Sequence, residues 1–429
     1  MNNKVAVITL GCSKNTVDSE RLMKQLKLNS IEIVENAEDA DYVIINTCGF
    51  IQDAKEESIE AILEGVELKK QGKIKKVIAA GCLPVRYKED LKKEIPEVDA
   101  FFGSEEYDGI LAEIGLNLKK ELLGQRELLT PKHYAYLKIS EGCDNPCSFC
   151  AIPLMRGKQI SRTIESLLDE VRFLVKEGVK ELIIIGQDTT DYGRDIYGKR
   201  NLAELLNKIS QIDGIEWIKL LYAYPSHFPD DLIDEIANNN KICKYIDIPL
   251  QHINDEVLKS MRRGITKHRT IELLNTLRLR IPNLTIRTTF IIGYPNETVE
   301  RFDELVAFIK DFKFDRLGVF EYSVEDDTTI FSVGDPVKKA EKERRKSVIM
   351  LAQEEISHQK NQNLIGTVMN VIIDGEEGDY FIGRSGKDVP EVDCEVLIEK
   401  DNNNLICGNF YKVNIFDCDE FDLFGKLHQ

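Results

Sequence analysis

The stretch Tyr134-Ala135-Tyr136-Leu137-Lys138-Ile139-Ser140-Glu141-Gly142-Cys143-Asp144-Asn145-Pro146-Cys147-Ser148-Phe149-Cys150 frames the whole chain. Its first seven residues read as a β-strand, and its tail is a C-x-x-x-C-x-x-C loop. Three thiolates on so tight a loop can hold three irons of a cubane cluster, leaving the fourth iron open for chemistry. A structural zinc site or a disulfide loop is the plainer alternative. Zinc ordinarily takes four ligands in paired C-x-x-C spacing, and no His or second C-x-x-C follows here. The spacing therefore predicts a 4Fe–4S cluster on Cys143, Cys147 and Cys150.

From residue 134 the chain alternates strand and helix. Further strand patterns lie at 181–185, 217–222, 245–248, 285–292 and 317–322. Helical patterns lie at 163–177, 202–209, 230–238, 255–261, 269–279 and 299–312. Six βα repeats predict an α/β architecture, an open partial (β/α)6 barrel, with its active site on the loops at the strand C-termini. The cysteine loop follows the first strand and so lies at that face. Other polar and glycine residues also follow strands at that face: Gly186, Gln187 and Asp188, Gln251 and His252, Gly293, and Glu321, Tyr322 and Ser323. Arg287 lies within the fifth strand. Each equally suits a cap or a satisfied barrel polar group. His252 suits hydrogen bonding better than metal ligation, because no other His or Cys sits at ligand spacing.

The N-terminal third carries three apolar, β-branched runs ending in cysteine: Val5 to Cys12, Tyr42 to Cys48 and Val77 to Cys82. Helical patterns at 19–28 and 53–70 separate them, which predicts a parallel sheet. All strand C-termini of such a sheet lie on one edge, so Cys12, Cys48 and Cys82 are expected to converge and bind a second cluster with an open iron. A lone cysteine in such a place reads as a core thiol.

The charged stretch at 337–362 reads as one helix with a solvated face. From Leu364 the pattern becomes short strands broken at Asp374 to Gly378, Ser385 to Lys387 and Asp401 to Asn404, which predicts a small antiparallel β-barrel of the oligonucleotide-binding kind. Residues 363–429 hold 14 acidic and 5 basic side chains, a net of −9, unlike an RNA-binding surface. Cys243, Cys394, Cys407 and Cys418 have no ligand spacing and read as buried thiols. Four regions are expected: 1–118, 130–336, a connecting helix at 337–362, and 363–429.

The 429 residues, 42% of them apolar, can build about three cores, and no apolar run approaches the ~18 residues of a membrane span. The N-terminus resembles no signal peptide, so a cytoplasmic location is expected, where ten cysteines suit metals or buried thiols better than disulfides. A net charge of −17 argues against extensive contact with nucleic-acid backbone and suits a basic partner.

Over essentially its whole length the chain resembles the radical S-adenosylmethionine methylthiotransferases. The resemblance rests on the three-cysteine N-terminal region, the cysteine loop with an aromatic residue (Phe149) before its last cysteine, the partial barrel, and a C-terminal barrel of the TRAM type. Gly11-Cys12-Ser13-Lys14-Asn15-Thr16-Val17-Asp18-Ser19-Glu20, Asn46-Thr47-Cys48-Gly49-Phe50-Ile51 and Ala151-Ile152-Pro153-Leu154-Met155-Arg156-Gly157 look like the branch that modifies an aspartate of ribosomal protein S-twelve. Asn296 and Asp327 stand where glycine is common in that family, and Asn tolerates positive φ.

The resemblance implies two 4Fe–4S clusters and S-adenosylmethionine as cofactors. It implies a 5′-deoxyadenosyl radical that takes hydrogen from the aspartate β-carbon, sulfur delivered at the Cys12, Cys48 and Cys82 cluster, and a second S-adenosylmethionine as methyl donor. Acid–base groups could hardly activate such a C–H bond, and no catalytic residue is expected beyond the cluster ligands. Phe149, Gly186, Gln187, Arg287 and Gly293 are expected to line S-adenosylmethionine, with Arg287 paired to its carboxylate. The implied partners are a basic ribosomal protein, free or within the ribosome, an external electron donor and a sulfur donor, with no membrane and no extensive RNA contact. Two alternatives stand beside this: the same chemistry on a tRNA adenosine, and a non-catalytic iron–sulfur carrier or RNA-binding adaptor. A basic C-terminal barrel would favour RNA; this one is acidic.

Overall fold

Continuous apolar runs need cover on both faces, and the N-terminal sheet has it. In the computed structural model, which describes residues 3–122, 124–400 and 404–428, five strands form a parallel sheet. They are β1 (Lys4–Thr9), β2 (Glu32–Ile33), β3 (Tyr42–Thr47), β4 (Lys76–Gly81) and β5 (Ala100–Phe101), in the order β2-β1-β3-β4-β5. Val43, Ile45, Val77 and Ala79 pack one way, against Ile62, Val66 and Leu91. Ile44 and Ile78 pack the other way, against Leu22, Leu26 and Leu111. The first helix, Ser13–Leu28, starts earlier than its apolar pattern suggests. Its opening turns bury polar residues (Lys14, Asn15, Asp18, Ser19, Glu20, Arg21) because a second domain covers them.

That second domain is the open parallel sheet expected of a partial barrel. After β6 (Tyr134–Lys138), a short antiparallel hairpin of β7 (Ser140–Glu141) and β8 (Ile160–Ser161) brackets the cysteine loop. Then follow β9 (Glu181–Ile185), β10 (Trp217–Leu220), β11 (Ile242–Asp247), β12 (Thr285–Ile292) and β13 (Arg316–Glu321), in the order β13-β12-β11-β10-β9-β6. Leu137, Leu182, Ile218, Ile246 and Ile286 face outward onto helix residues such as Leu167, Leu205, Ile233 and Leu305. The alternate residues Tyr136, Ile183, Ile185, Leu221 and Tyr245 face the lumen, where Val17 of the first helix and Val389 of the C-terminal domain join them.

The N-terminal domain is pinned over the mouth of this barrel. Glu325, in the loop after β13, pairs with Arg86 (2.7 Å) and Lys55 (3.2 Å), and Asp326 accepts from the Tyr87 hydroxyl at 2.9 Å. Asp327, in the same loop, adopts a left-handed φ of 60°, whereas Asn296 does not. That φ is one that glycine adopts freely and Asp tolerates; Asn296 needs no special backbone.

The connecting helix, Lys339–Gln362, is less solvated than its charge suggests. Lys342 donates to the Tyr322 carbonyl at 2.6 Å and Arg345 pairs with Glu297 at 2.9 Å, both nearly buried. Beyond it, β14 (Val368–Glu377), β15 (Tyr380–Ser385), β16 (Val396–Glu399), β17 (Phe410–Cys418) and β18 (Leu423–Leu427) close into a barrel. Four ladders are antiparallel, but β16 and β18 run parallel. Five strands cannot alternate direction all the way round a closed barrel, so one parallel pair is unavoidable. The expected turn at Asp401–Asn403 lies outside the described residues.

The end of β15 and the segment after it plug the far end of the central barrel, at the strand N-termini. Arg384 pairs with Glu181 (2.7 Å), Arg316 donates to Asp388 (3.0 Å), and the hydroxyls of Tyr245 and Tyr134 donate to Asp393 (2.7 Å) and Glu391 (3.2 Å). Part of the acidity of the C-terminal domain, Asp374, Asp388 and Asp393 above all, is therefore spent inside the molecule. Of the four cysteines read as buried thiols, Cys243 is buried, Cys394 and Cys418 are half-buried, and Cys407 is exposed. Among the described residues no helix is long and apolar enough to cross a membrane.

Candidate active site

Cys12, Cys48 and Cys82 stand just past β1, β3 and β4, which are neighbours in the sheet, and so converge on one edge. The chain turns there on two glycines. Gly11 has φ +92°, and a Cβ on it would lie 2.8 Å from Cβ of Cys48. Gly81 has φ +100°, and a Cβ would lie 2.5 Å from the Asn46 amide oxygen. A side chain at either position would push the cysteines apart. Burial pushes the Cys48 thiol up to about 11, and the nearby Cys12 and Cys82 add to the shift. Burial also raises Cys82, against the opposing pull of Arg156.

The second set sits at the barrel mouth, after β6. Cys143 N–H donates to the Gly157 carbonyl at 3.1 Å, which ties the two ends of the loop together. Burial raises Cys143 to about 11 and Cys150 to about 12, with the neighbouring thiols contributing. Donors are already aimed at the sulfurs: Arg263 Nη1 at 3.3 Å from Cys147, and Asn145 Nδ2 at 3.5 Å from Cys143. Asn145 is itself held by Asp188 at 2.7 Å. Phe149 packs edge-on against Tyr294, within an apolar patch shared with Val257, Met261 and Tyr322.

Arg156 joins the two sets. The one-turn helix Ile152–Arg156 follows Cys150 after one residue, and Ala151, Ile152 and Met155 pack with Cys82. Arg156 Nε donates to Sγ of Cys82 at 3.2 Å, and its Nη1 reaches Asp18 (2.8 Å) and Glu141 (3.0 Å). Lys138 bridges Asp18, Glu105 and Glu141, so that acidic trio is filled by an ammonium. Burial alone would raise Glu141, but Lys138 and Arg156 outweigh it and hold the carboxyl at about 2.

Both donor sets fit a polynuclear cluster. Ligand sulfurs around one tetrahedral zinc lie roughly 3.8 Å apart, from Zn–S bonds of about 2.3 Å. Among the described residues, the only His, Cys or carboxylate trio with ligand atoms within 4.8 Å of one another is Asp18, Glu105 and Glu141. The sulfurs of neither cysteine set are that close. A cluster spreads its thiolates more widely, and N–H donors to its sulfurs stabilise it.

The expected S-adenosylmethionine contacts divide. Gly186 leaves space that a Cβ would close, 2.9 Å from Ser140 Oγ. Gln187 Nε2 donates to Glu141 at 2.7 Å, while its Oε1 is buried without a partner. Gly293, at φ +73°, donates its N–H to Glu297, and a Cβ there would strike Lys342. These residues and Phe149 lie at the mouth. Arg287 lies lower in the lumen: it is the third residue of β12, level with Asp247 at the end of β11, and six positions before Gly293, roughly 20 Å along the strand. Its guanidinium is engaged by Asp247 (2.9 Å) and Asp393 (3.3 Å) at the seam with the C-terminal barrel. His252 accepts from Asn254 N–H through Nδ1 and faces Glu297 at 3.4 Å, a hydrogen-bonding role. Arg156, Arg263, Asn145 and Glu297 escaped notice as site residues. Arg156 alone had a cue, a base on the turn after the last cysteine, but its target is 74 residues away.

Comparison with known proteins agrees with this geometry. Residues 137–309 match the radical SAM superfamily, residues 4–103 the uncharacterized protein family UPF0004, and residues 365–427 the TRAM domain. The chain is 52% identical over 428 residues to the ribosomal protein uS12 methylthiotransferase RimO of Chloroherpeton thalassium, covering 99% of this chain and 98% of that one. It is also 52% identical to the protein of the same name from Christiangramia forsetii, with 99% and 94% covered. Among solved structures, the radical S-adenosylmethionine methyltransferase TsrM from Kitasatospora setae, with cobalamin and a [4Fe-4S] cluster bound, shares the fold. Its TM-score is 0.55 at 14% identity, over 77% of each chain. The radical enzyme OxsB aligns with TM-score 0.53 at 13% identity, over 82% of this chain and 56% of its own. With identity near one half across its full length, the chain belongs to the radical S-adenosylmethionine family of ribosomal protein uS12 methylthiotransferases.

Proposed function

We infer that this enzyme attaches a methylthio group to the β-carbon of an aspartate in ribosomal protein uS12. The observation that carries the reading is the pair of three-cysteine sets joined through Arg156, in a chain so similar to enzymes of that name. When bound, a 4Fe–4S cluster at Cys143, Cys147 and Cys150 with S-adenosylmethionine supplies radical removal of hydrogen, and a second cluster at Cys12, Cys48 and Cys82 with a further S-adenosylmethionine supplies sulfur and methyl.

The chain's own residues hold and shield this chemistry. Arg263 and Asn145 orient Cys147 and Cys143, and Arg156 orients Cys82. Phe149, Tyr294 and Tyr322 form an apolar wall that excludes water from the mouth. Gln187, held by Glu141, keeps a buried, unpaired Oε1 beside the mouth. A reductant and a sulfur donor come from outside the chain, and a ribosomal substrate places the reaction in the cytosol.

The C-terminal barrel docks the basic substrate through the acids it has left exposed. Glu376, Glu377 and Asp379 line the exposed β14–β15 turn, whereas Asp393 and Asp388 are buried against Arg287 and Arg316. Mass spectrometry of uS12 from cells with and without this gene tests the reading. It expects a methylthio group on one aspartate only when the gene is present. An unmodified uS12 beside a newly methylthiolated tRNA adenosine would replace it with the RNA reading.

A further inference from the structure

We propose that Lys14 is the subsite for the carboxylate of the substrate aspartate, an inference that rests on the reaction given above. Lys14 is only 7% exposed. Among the described residues, other buried cations have anionic or carbonyl partners: Lys138 has Asp18 and Glu141, Lys219 has Glu181, and Arg263 has Cys147 and the Pro249 carbonyl. Among the described residues the Lys14 ammonium has no ion-pair or hydrogen-bond partner. Its Nζ lies over the Tyr222 ring, 3.0 Å from the centroid. An aromatic face meets only part of what an ammonium asks for, and no anion of the chain meets the rest.

The place is the one the chemistry requires. Lys14 lies two residues past Cys12, and Tyr222 lies two residues past the end of β10, at the barrel mouth. One turn further along the helix, Val17 enters the lumen beside Tyr136, Ile185 and Leu221, and Asp18 holds the Arg156 that reaches Cys82. Lys14 therefore overhangs the mouth between the two cysteine sets. The reacting β-carbon has to sit there, and the carboxylate is bonded directly to that carbon. A carboxylate drawn out of water into this place is stabilised by a cation.

The Tyr222 ring is a built platform for this ammonium. Tyr222 is held at φ +59°, its N–H donating to Asp247 at 3.0 Å and its carbonyl accepting from Thr189 N–H at 3.1 Å. Such backbone persists only where its surroundings hold it. A nucleobase carries no carboxylate, so the same subsite sets an aspartate apart from an adenosine.

The test is a double-mutant cycle on the reconstituted full chain with purified uS12, read by equilibrium binding and by kcat/KM. The uS12 carries either its aspartate or an asparagine at the modified position. Replacing the aspartate should weaken binding to the wild-type chain about 10- to 100-fold, the range for a charge-assisted contact. Lys14→Met should weaken binding of the aspartate protein to the same degree, and should bind the aspartate and asparagine proteins within about threefold of each other. Lys14→Arg should recover most of the discrimination, and iron content should match the wild type in both variants. If Lys14→Met still prefers aspartate as the wild type does, or weakens both proteins equally, Lys14 only supports the fold and the proposal is overturned. A wild-type chain that binds uS12 but never methylthiolates it overturns the reaction itself.

Discussion

Arg156 donates to the sulfur of Cys82 at 3.2 Å, although it belongs to the helix that follows Cys150. One side chain thereby links the two cysteine sets directly, beside the Glu325 and Lys138 pairs that hold the two domains together. Its bonds to Asp18 and Glu141 keep the guanidinium from turning away. Arg156→Met should lower iron bound at the Cys12, Cys48 and Cys82 set and slow methylthio transfer at least tenfold. Iron counting and product analysis on the purified variant check this; full iron and a wild-type rate would remove Arg156 from the site.

The two sets should separate by substitution. The chain should take up about eight irons in all, four per cluster. Changing Cys143, Cys147 and Cys150 to Ala together should leave about four irons and abolish cleavage of S-adenosylmethionine. Changing Cys12, Cys48 and Cys82 should also leave about four, keep cleavage, and abolish methylthiolation. Formation of 5′-deoxyadenosine by the first variant would reverse the roles.

Arg287 is a tie between barrels. Arg287→Ala should leave the affinity for S-adenosylmethionine unchanged and lower stability by roughly 3–5 kcal/mol, because it strands the buried carboxylates of Asp247 and Asp393. Isothermal titration and urea unfolding of the same sample measure both. A large loss of affinity with unchanged stability would return Arg287 to the cofactor.

The same seam makes acid sensitivity local. Burial alone would raise Glu181, but Arg384 and Lys219 hold it at about 2, below its ordinary 4.5. A depressed carboxyl contributes stability above pH 4.5, and that contribution is lost as pH falls through 2. Glu181→Gln should therefore destabilise the chain by roughly 3 kcal/mol at pH 7. The gap should narrow in urea unfolding repeated at about pH 3. A gap that keeps its full size there would refute the assignment.

Docking through the C-terminal barrel should follow its exposed acids alone. Reversing Glu376, Glu377 and Asp379 to Lys should slow uS12 modification severalfold and flatten its dependence on salt, since exposed charges act over about 8–10 Å at ordinary ionic strength. Steady-state rates in low and high salt decide it, and a wild-type rate in low salt would place docking elsewhere.

Local sequence determined the elements and their chemistry. The β-branched runs at Val43–Ile45 and Val77–Ala79 specify buried strands, because their side chains must be covered on both faces. The spacing of Cys143, Cys147 and Cys150 specifies a three-thiolate loop, because ligands that close in the chain stay close in space. Only tertiary structure decided which distant groups meet. The order β2-β1-β3-β4-β5 makes β1, β3 and β4 neighbours and so brings Cys12, Cys48 and Cys82 together. Docking of the N-terminal domain on the barrel mouth brings Lys14 over Tyr222 and Arg156 to Cys82. Insertion of the segment after β15 draws Arg287 away to Asp393 and turns surface acids into internal partners. A charge carries no mark in sequence of the partner it will find, since burial makes each cation take whichever anion the packing delivers.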